Sequence, residues 1–160
     1  MERIPLTTRG YARLREELHN LLRVERPAII AAIDEARSHG DLKENAEYHS
    51  AKEKQGFIEG RIAELENKLA RVDVIDISKL SGSKALLGAT VTMVDTDTDK
   101  EVTYVLVGPD EANIEDNLLS TTSPIGRALL GKEAGDEVKV QAPGGQRVYE
   151  IEKVSFIDLK

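Results

Sequence analysis

From Glu44 to Val72 the chain reads ENAEYHSAKEKQGFIEGRIAELENKLARV. Within it Glu44, Tyr48, Ala51, Gln55, Ile58, Ile62, Leu65, Leu69 and Val72 recur at alternating steps of four and three. That is a coiled-coil seam, carried for about four heptads. The seam is apolar toward Val72 and turns polar toward Glu44, so Glu44 faces outward where the helix begins. Upstream, Thr7 or Thr8 can cap a helix whose apolar residues Tyr11, Leu14, Leu18, Leu22, Ile29, Ile33 and Ala36 follow one face. Pro27 removes a backbone donor, yet the stripe resumes in phase at Ile29, which predicts a kink and not an end. The stretch from Thr8 to Ser38 spans roughly 46 Å at ~1.5 Å per residue, and Gly40 supplies the stop. Two stripes joined by a short turn pack antiparallel, with residues 40–49 at the far end of the hairpin.

Composition bounds what such a chain can do. Its 160 residues are 40% hydrophobic but only 4% aromatic, enough for one modest core and an elongated element and too little for a large enzyme pocket. Cysteine is absent, which removes disulfide and thiolate chemistry. No apolar run is long enough to span a bilayer, and the start, Met1-Glu2-Arg3-Ile4-Pro5, has no hydrophobic signal region. A protein of the reducing cytoplasm is expected. Residues 1–75 hold 13 Lys+Arg against 14 Asp+Glu and residues 76–160 hold 9 against 15, so most of the net charge of −7 lies in the second half. Nucleic-acid affinity needs clustered cations, so any contact with RNA or DNA belongs to the first half. The same charge also serves plain solubility.

After Val74 the periodicity changes. Ser81-Gly82-Ser83 is a flexible junction, and residues 89–94, 101–107, 137–141 and 147–154 read as strands. Residues 95–100 and Pro143-Gly144-Gly145 read as turns, and Ser123-Pro124 opens a brief helix through Leu130, stopped by Gly131. The expected architecture is α plus α+β: a coiled-coil domain over 1–75, then a mostly antiparallel sheet domain with a short helix over 80–160.

The chemistry concentrates at the hairpin end. Asp41 and Glu44, three residues apart at a helix start, match a reciprocal capping pattern in which each side chain satisfies a free backbone amide. An ionised carboxylate has about four acceptor positions, so capping does not exclude a metal. Mg prefers oxygen and commonly sits on one or two carboxylates, with waters and substrate phosphates completing its shell. Two carboxylates are half a site, which a second macromolecule would have to complete. The surrounding Arg37, His39, Lys43, His49, Lys52 and Lys54 have two readings: a solvated helix surface, or, through Arg37 and Lys52, a guide for a phosphate backbone. Tyr48 is either the last plug of the seam or a stacking platform. His39 and His49 lack a third nitrogen or sulfur ligand, so zinc is not expected. No Ser-His-Asp arrangement, phosphate-cradling glycine loop or dinucleotide fingerprint occurs.

Residues 36–49, followed by Gln55-Gly56-Phe57, Glu59-Gly60-Arg61-Ile62, Gly88-Ala89-Thr90-Val91, Ser123-Pro124-Ile125, Leu130-Gly131-Lys132-Glu133 and Pro143-Gly144-Gly145, resemble the Gre family of bacterial transcript-cleavage factors over nearly the whole length. The resemblance implies an N-terminal antiparallel coiled coil and a C-terminal FKBP-like domain. It implies a partner, bacterial RNA polymerase, whose secondary channel the coiled coil enters. Asp41 and Glu44 would there help hold a Mg ion shared with the polymerase active site. The cleavage of backtracked RNA would belong to the polymerase, and this chain would be an accessory factor. Arg37 and Lys52 are the expected contacts to the RNA 3′ end, and Ser123 and Pro124 the expected docking contacts. A monomer is expected for the free protein. Two alternatives share the architecture: a prolyl isomerase or chaperone, for which the second domain offers only Tyr104, Tyr149 and Phe156, and a polymerase inhibitor without cleavage activity.

Overall fold

The computed structural model describes residues 2–40 and 45–157. They divide into two compact units, one formed by Tyr11–Arg71 and the other by Glu2–Gly10 with the chain from Val72 onward. The periodicity gives no sign that residues 2–10 group with the second unit.

The first unit is built from α1 (Thr8–Asn20), a π-helical turn (Leu21–Glu25), α2 (Arg26–Ser38) and α3 (Ala46–Ala70). Alternation of small seams against polar faces puts Ile29, Ile33, Ile58 and Ile62 in one buried cluster, with Leu18, Leu21, Leu22, Tyr48 and Ala51 packed against it. Each such isoleucine contributes about 1.5–3 kcal/mol by leaving water. The irregularity expected at Pro27 takes the form of the π turn just before it, where the Arg26 N–H donates to the Leu21 carbonyl. At ordinary helical pitch the Pro27 ring would press on the carbonyl four residues back, and a wider preceding turn relieves that clash. Asn20 and Arg26 both stay right-handed helical, so the backbone is continuous through the turn.

One seam position needs correcting. Helix α3 ends at Ala70, and Val72 opens a strand. A seam residue and the first apolar residue of a strand look alike by spacing, and the β-branched run Val72, Val74, Ile75 favours the extended form.

Charged side chains brace the two legs. The Arg61 guanidinium grips Glu17 with Nε–Oε2 at 2.6 Å and Nη2–Oε1 at 2.8 Å, and Arg26 grips Glu59 at 2.8 and 2.7 Å. The hydrogen bond from Arg61 holds the Glu17 carboxyl below its ordinary range. A folded-state value lowered from 4.5 means stabilisation that is present above pH 4.5 and lost as pH falls through the lowered value. At a side chain 39% exposed, solvent screening keeps this within about 1 kcal/mol. Glu17→Gln should therefore lower the melting temperature at neutral pH and leave it unchanged well below pH 4.5, in paired thermal melts.

In the second unit β1 (Ile4–Thr7) pairs in parallel with β2 (Val72–Ile75), Ile4 opposite Val72 and Thr7 opposite Ile75. The root of α1 is capped from a distance. Thr7 Oγ1 accepts the Gly10 N–H at 3.2 Å, and the Glu111 carboxylate accepts both the Thr7 N–H, at 2.8 Å, and the Thr7 hydroxyl. Both Thr7 and Glu111 are buried. A Cβ on Gly10 would lie 2.4 Å from the Glu111 carboxyl carbon. Gly10→Ala should thus destabilise the protein by about 1–2 kcal/mol, as judged by urea denaturation, because displacing Glu111 unpairs buried donors. The gain in helix propensity, up to about 1 kcal/mol, offsets only part of that.

The main sheet comprises β3 (Thr90–Asp95), β4 (Glu101–Val107), β5 (Leu118–Ser120), β6 (Glu137–Ala142) and β7 (Gly145–Ser155), in the order β5-β4-β3-β7-β6. All pairs are antiparallel except β4 with β5. The four strands expected from alternation are present within a residue or two, and the three-residue β5 is an addition to them. Helix α4 (Pro124–Leu129) closes one face, burying Leu129 with Val91, Met93, Leu106, Val138, Val140 and Ile151. Tyr104, Tyr149 and Phe156 pack against this core, so their rings serve the fold. The acids of the 95–100 turn are partly committed too: Asp95 accepts the Asp97 N–H and an Arg147 Nη1–H, each at 2.9 Å. Among the described residues no helix is long and apolar enough to cross a membrane.

Candidate functional site

The end of the hairpin is shaped by how α2 stops and α3 starts. Two tightened turns close α2, with the His39 N–H on the Ala36 carbonyl and the Gly40 N–H on the Arg37 carbonyl, both at 3.2 Å. Gly40 follows at φ +102°, a left-handed conformation that glycine adopts without a Cβ penalty. Helix α3 opens on Asn45, whose backbone is extended and whose Oδ1 accepts the Tyr48 N–H at 3.0 Å. The other half of the same amide turns back: Nδ2 donates to the Ala36 carbonyl at 2.6 Å. One side chain thus satisfies an orphan donor of α3 and bonds a carbonyl in the last turn of α2.

The N-cap of α3 is Asn45, and the reciprocal pattern read for Asp41 and Glu44 falls on residues outside the described ones. Asn45 carries a sequence signal of its own, since asparagine is among the best N-cap residues and stands directly before the helical seam.

The other expected site residues fall in two places. Arg37 is exposed in the last turn of α2. Lys52 is exposed on α3, its Nζ donating to Gln55 Oε1 at 3.3 Å. Between them the half-buried Tyr48 forms the outer plug of the seam and meets the His49 ring edge-on at 5.5 Å. His39 Nδ1 lies 3.6 Å from Glu47 Oε2. Ser123 and Pro124 sit together in the second unit, Ser123 capping α4 through the Gly126 N–H at 3.0 Å and Pro124 exposed as the first helical residue.

Among the described residues no three His, Cys, Asp or Glu side chains converge on a point that could hold a metal. The two carboxylates singled out in the sequence, Asp41 and Glu44, lie outside the described residues.

Comparison with known proteins decides the family. Residues 4–74 match the model for "Transcription elongation factor, N-terminal" and residues 80–156 that for "Transcription elongation factor, GreA/GreB, C-term". The chain belongs to the GreA/GreB family of transcription elongation factors. It is 65% identical over 156 residues to transcription elongation factor GreA of Hyphomonas neptunium, covering 98% of this chain and 99% of that one. It is 59% identical to the Phenylobacterium zucineum GreA, covering 98% and 100%. Among solved structures it is 28% identical to the GreA factor homolog Gfh1 of Thermus thermophilus, with a TM-score of 0.44 and coverage of 96% and 99%.

Proposed function

We propose that this GreA/GreB-family chain binds bacterial RNA polymerase at its secondary channel and stimulates cleavage of backtracked RNA in the polymerase active site, so that arrested elongation complexes resume. One observation at the site supports the reading: Asn45 is the N-cap of α3, accepting the Tyr48 N–H, directly after the acidic pair in sequence. Asp41 and Glu44 are the groups that would hold a Mg ion, together with oxygens of polymerase and RNA. Bound there, such an ion lowers the pKa of a water nucleophile and offsets charge developing at the scissile phosphate. The two carboxylates contribute by placing negative charge at the end of a helical hairpin. Arg37 and Lys52, both solvent-facing, attract the RNA backbone toward that end. Ser123 and Pro124 dock the second unit on the polymerase. The chain acts in the cytoplasm as a monomer and performs no hydrolysis by itself.

The direct test adds the purified chain and Mg to an arrested elongation complex and sizes the RNA. Shortened transcripts with new 3′ ends, followed by renewed extension, are the expected result. RNA left intact while the chain remains bound to polymerase would leave the inhibitor reading in its place.

A further inference from the structure

We propose that Asn45 is a positioning residue for the cleavage reaction, acting by clasping the two ends of the segment that carries Asp41 and Glu44. The inference rests on the function proposed above and names a part of its machinery. The residues on either side of the segment are Gly40, which ends the run from α2, and Asn45, which begins α3. Ordinary N-capping would need only the Asn45 Oδ1 to Tyr48 N–H bond, and serine or aspartate would supply it equally well. What ionised aspartate, which has no donor, cannot supply is the second bond, from Nδ2 to the Ala36 carbonyl at 2.6 Å, and serine has only one short hydroxyl in place of the two ends of the amide. That bond joins α2 to α3 at the last buried residue of α2, with Ala36 3% exposed. It holds Asn45 against the last turn of α2, where the Gly40 N–H is also bonded to the Arg37 carbonyl, so both residues that flank the acidic segment in sequence are tied to α2. A metal ligand set completed by another macromolecule depends on such placement, and loss of supporting contacts around ligands commonly lowers activity 10- to 100-fold, a range of about that size.

Aspartate separates the clasp from the cap. Asn45→Asp keeps a good N-cap and adds a favourable charge at the helix N-terminus. It also turns a donor into an anion facing the Ala36 carbonyl, so the clasp becomes repulsive. Asn45→Ser keeps the cap and weakens the clasp, because one short hydroxyl replaces the two separate ends of the amide. Both variants should retain the helix content and melting behaviour of the parent, and the same half-saturating concentration for polymerase. Both should lower the cleavage rate at saturation about tenfold or more, Asp more than Ser, and require more Mg to reach their maximum. Asn45→Gln, whose longer amide can still donate, should recover part of the rate. Wild-type cleavage at saturation by Asn45→Asp, beside an inactive Asp41→Asn control, would overturn the clasp alone. A loss confined to half-saturating concentration or to melting temperature would do the same, since it marks a role in folding or docking. Full cleavage by Asp41→Asn would overturn both the clasp and the function it serves.

Discussion

Asp41→Asn and Glu44→Gln should each lower factor-stimulated cleavage of arrested complexes by on the order of 10²-fold, the scale on which losing one transition-state-stabilising group reads. The substitutions preserve size, remove the charge and replace one acceptor oxygen by an NH2 donor, and they leave the seam and the Asn45 cap untouched. Polymerase affinity should stay within about twofold, because an interaction made only in the transition state shows up in the rate and leaves ground-state binding alone. Raising Mg should restore part of the Asp41→Asn rate by mass action. The measurement is the single-turnover cleavage rate at saturating factor, alongside competition for polymerase against the parent chain. Wild-type rates in both variants would refute the proposed role of the tip.

Gly126→Ala should destabilise the second unit by about 3 kcal/mol, the upper end for forcing extra volume into packed surroundings. A Cβ there would stand 2.0 Å from the Ser120 carbonyl oxygen and 2.9 Å from Ser123 Oγ. The oxygen belongs to the backbone at the end of β5 and cannot swing aside as a long side chain would. Ser123 Oγ is fixed as well, donating to that carbonyl at 2.7 Å while accepting the Gly126 N–H. Relief therefore requires moving α4 off the sheet, which strips Leu129 from the core and shifts the Ser123-Pro124 turn. Urea denaturation should show the loss directly. Weaker polymerase binding with an unaltered saturated cleavage rate should accompany it if that turn is a docking element. A stability change below about 1 kcal/mol would show that the close approach of Gly126 to β5 is not required.

Much of this architecture can be read from the sequence because its determinants are periodic. The seam residues Tyr48, Ala51, Gln55, Ile58, Ile62 and Leu65 deepen from half-buried to buried in the order their polarity predicts. The alternation in Thr90–Asp95 and Glu137–Ala142 is that of strands with one face buried. What escaped reading was set by partners distant in sequence. Strand β1 extends only because Val72–Ile75 lies beside it, and the Thr7 cap owes its second layer to Glu111, more than a hundred positions later. Leu118–Ser120 is too short to show a period. At the tip the acidic pair was visible as chemistry, but the residue holding the helix ends together was overlooked: a spacing rule finds pairs, and Asn45 works alone with two ends of one amide.

The ribbon of β1 and β2 has a further consequence for how the hairpin tolerates change in length. The chain enters α1 straight from β1 and leaves α3 into β2, and those strands are locked in four-residue register. Neither leg has a loose end, so a residue added to either helix cannot be absorbed by slippage there without turning every strand side chain to the wrong side. The wide turn Leu21–Glu25 is where such slack is already stored, as one residue beyond what an α-helical path requires. Insertions and deletions compatible with an intact hairpin should accordingly collect at that turn, the place in the first leg where extra length already fits.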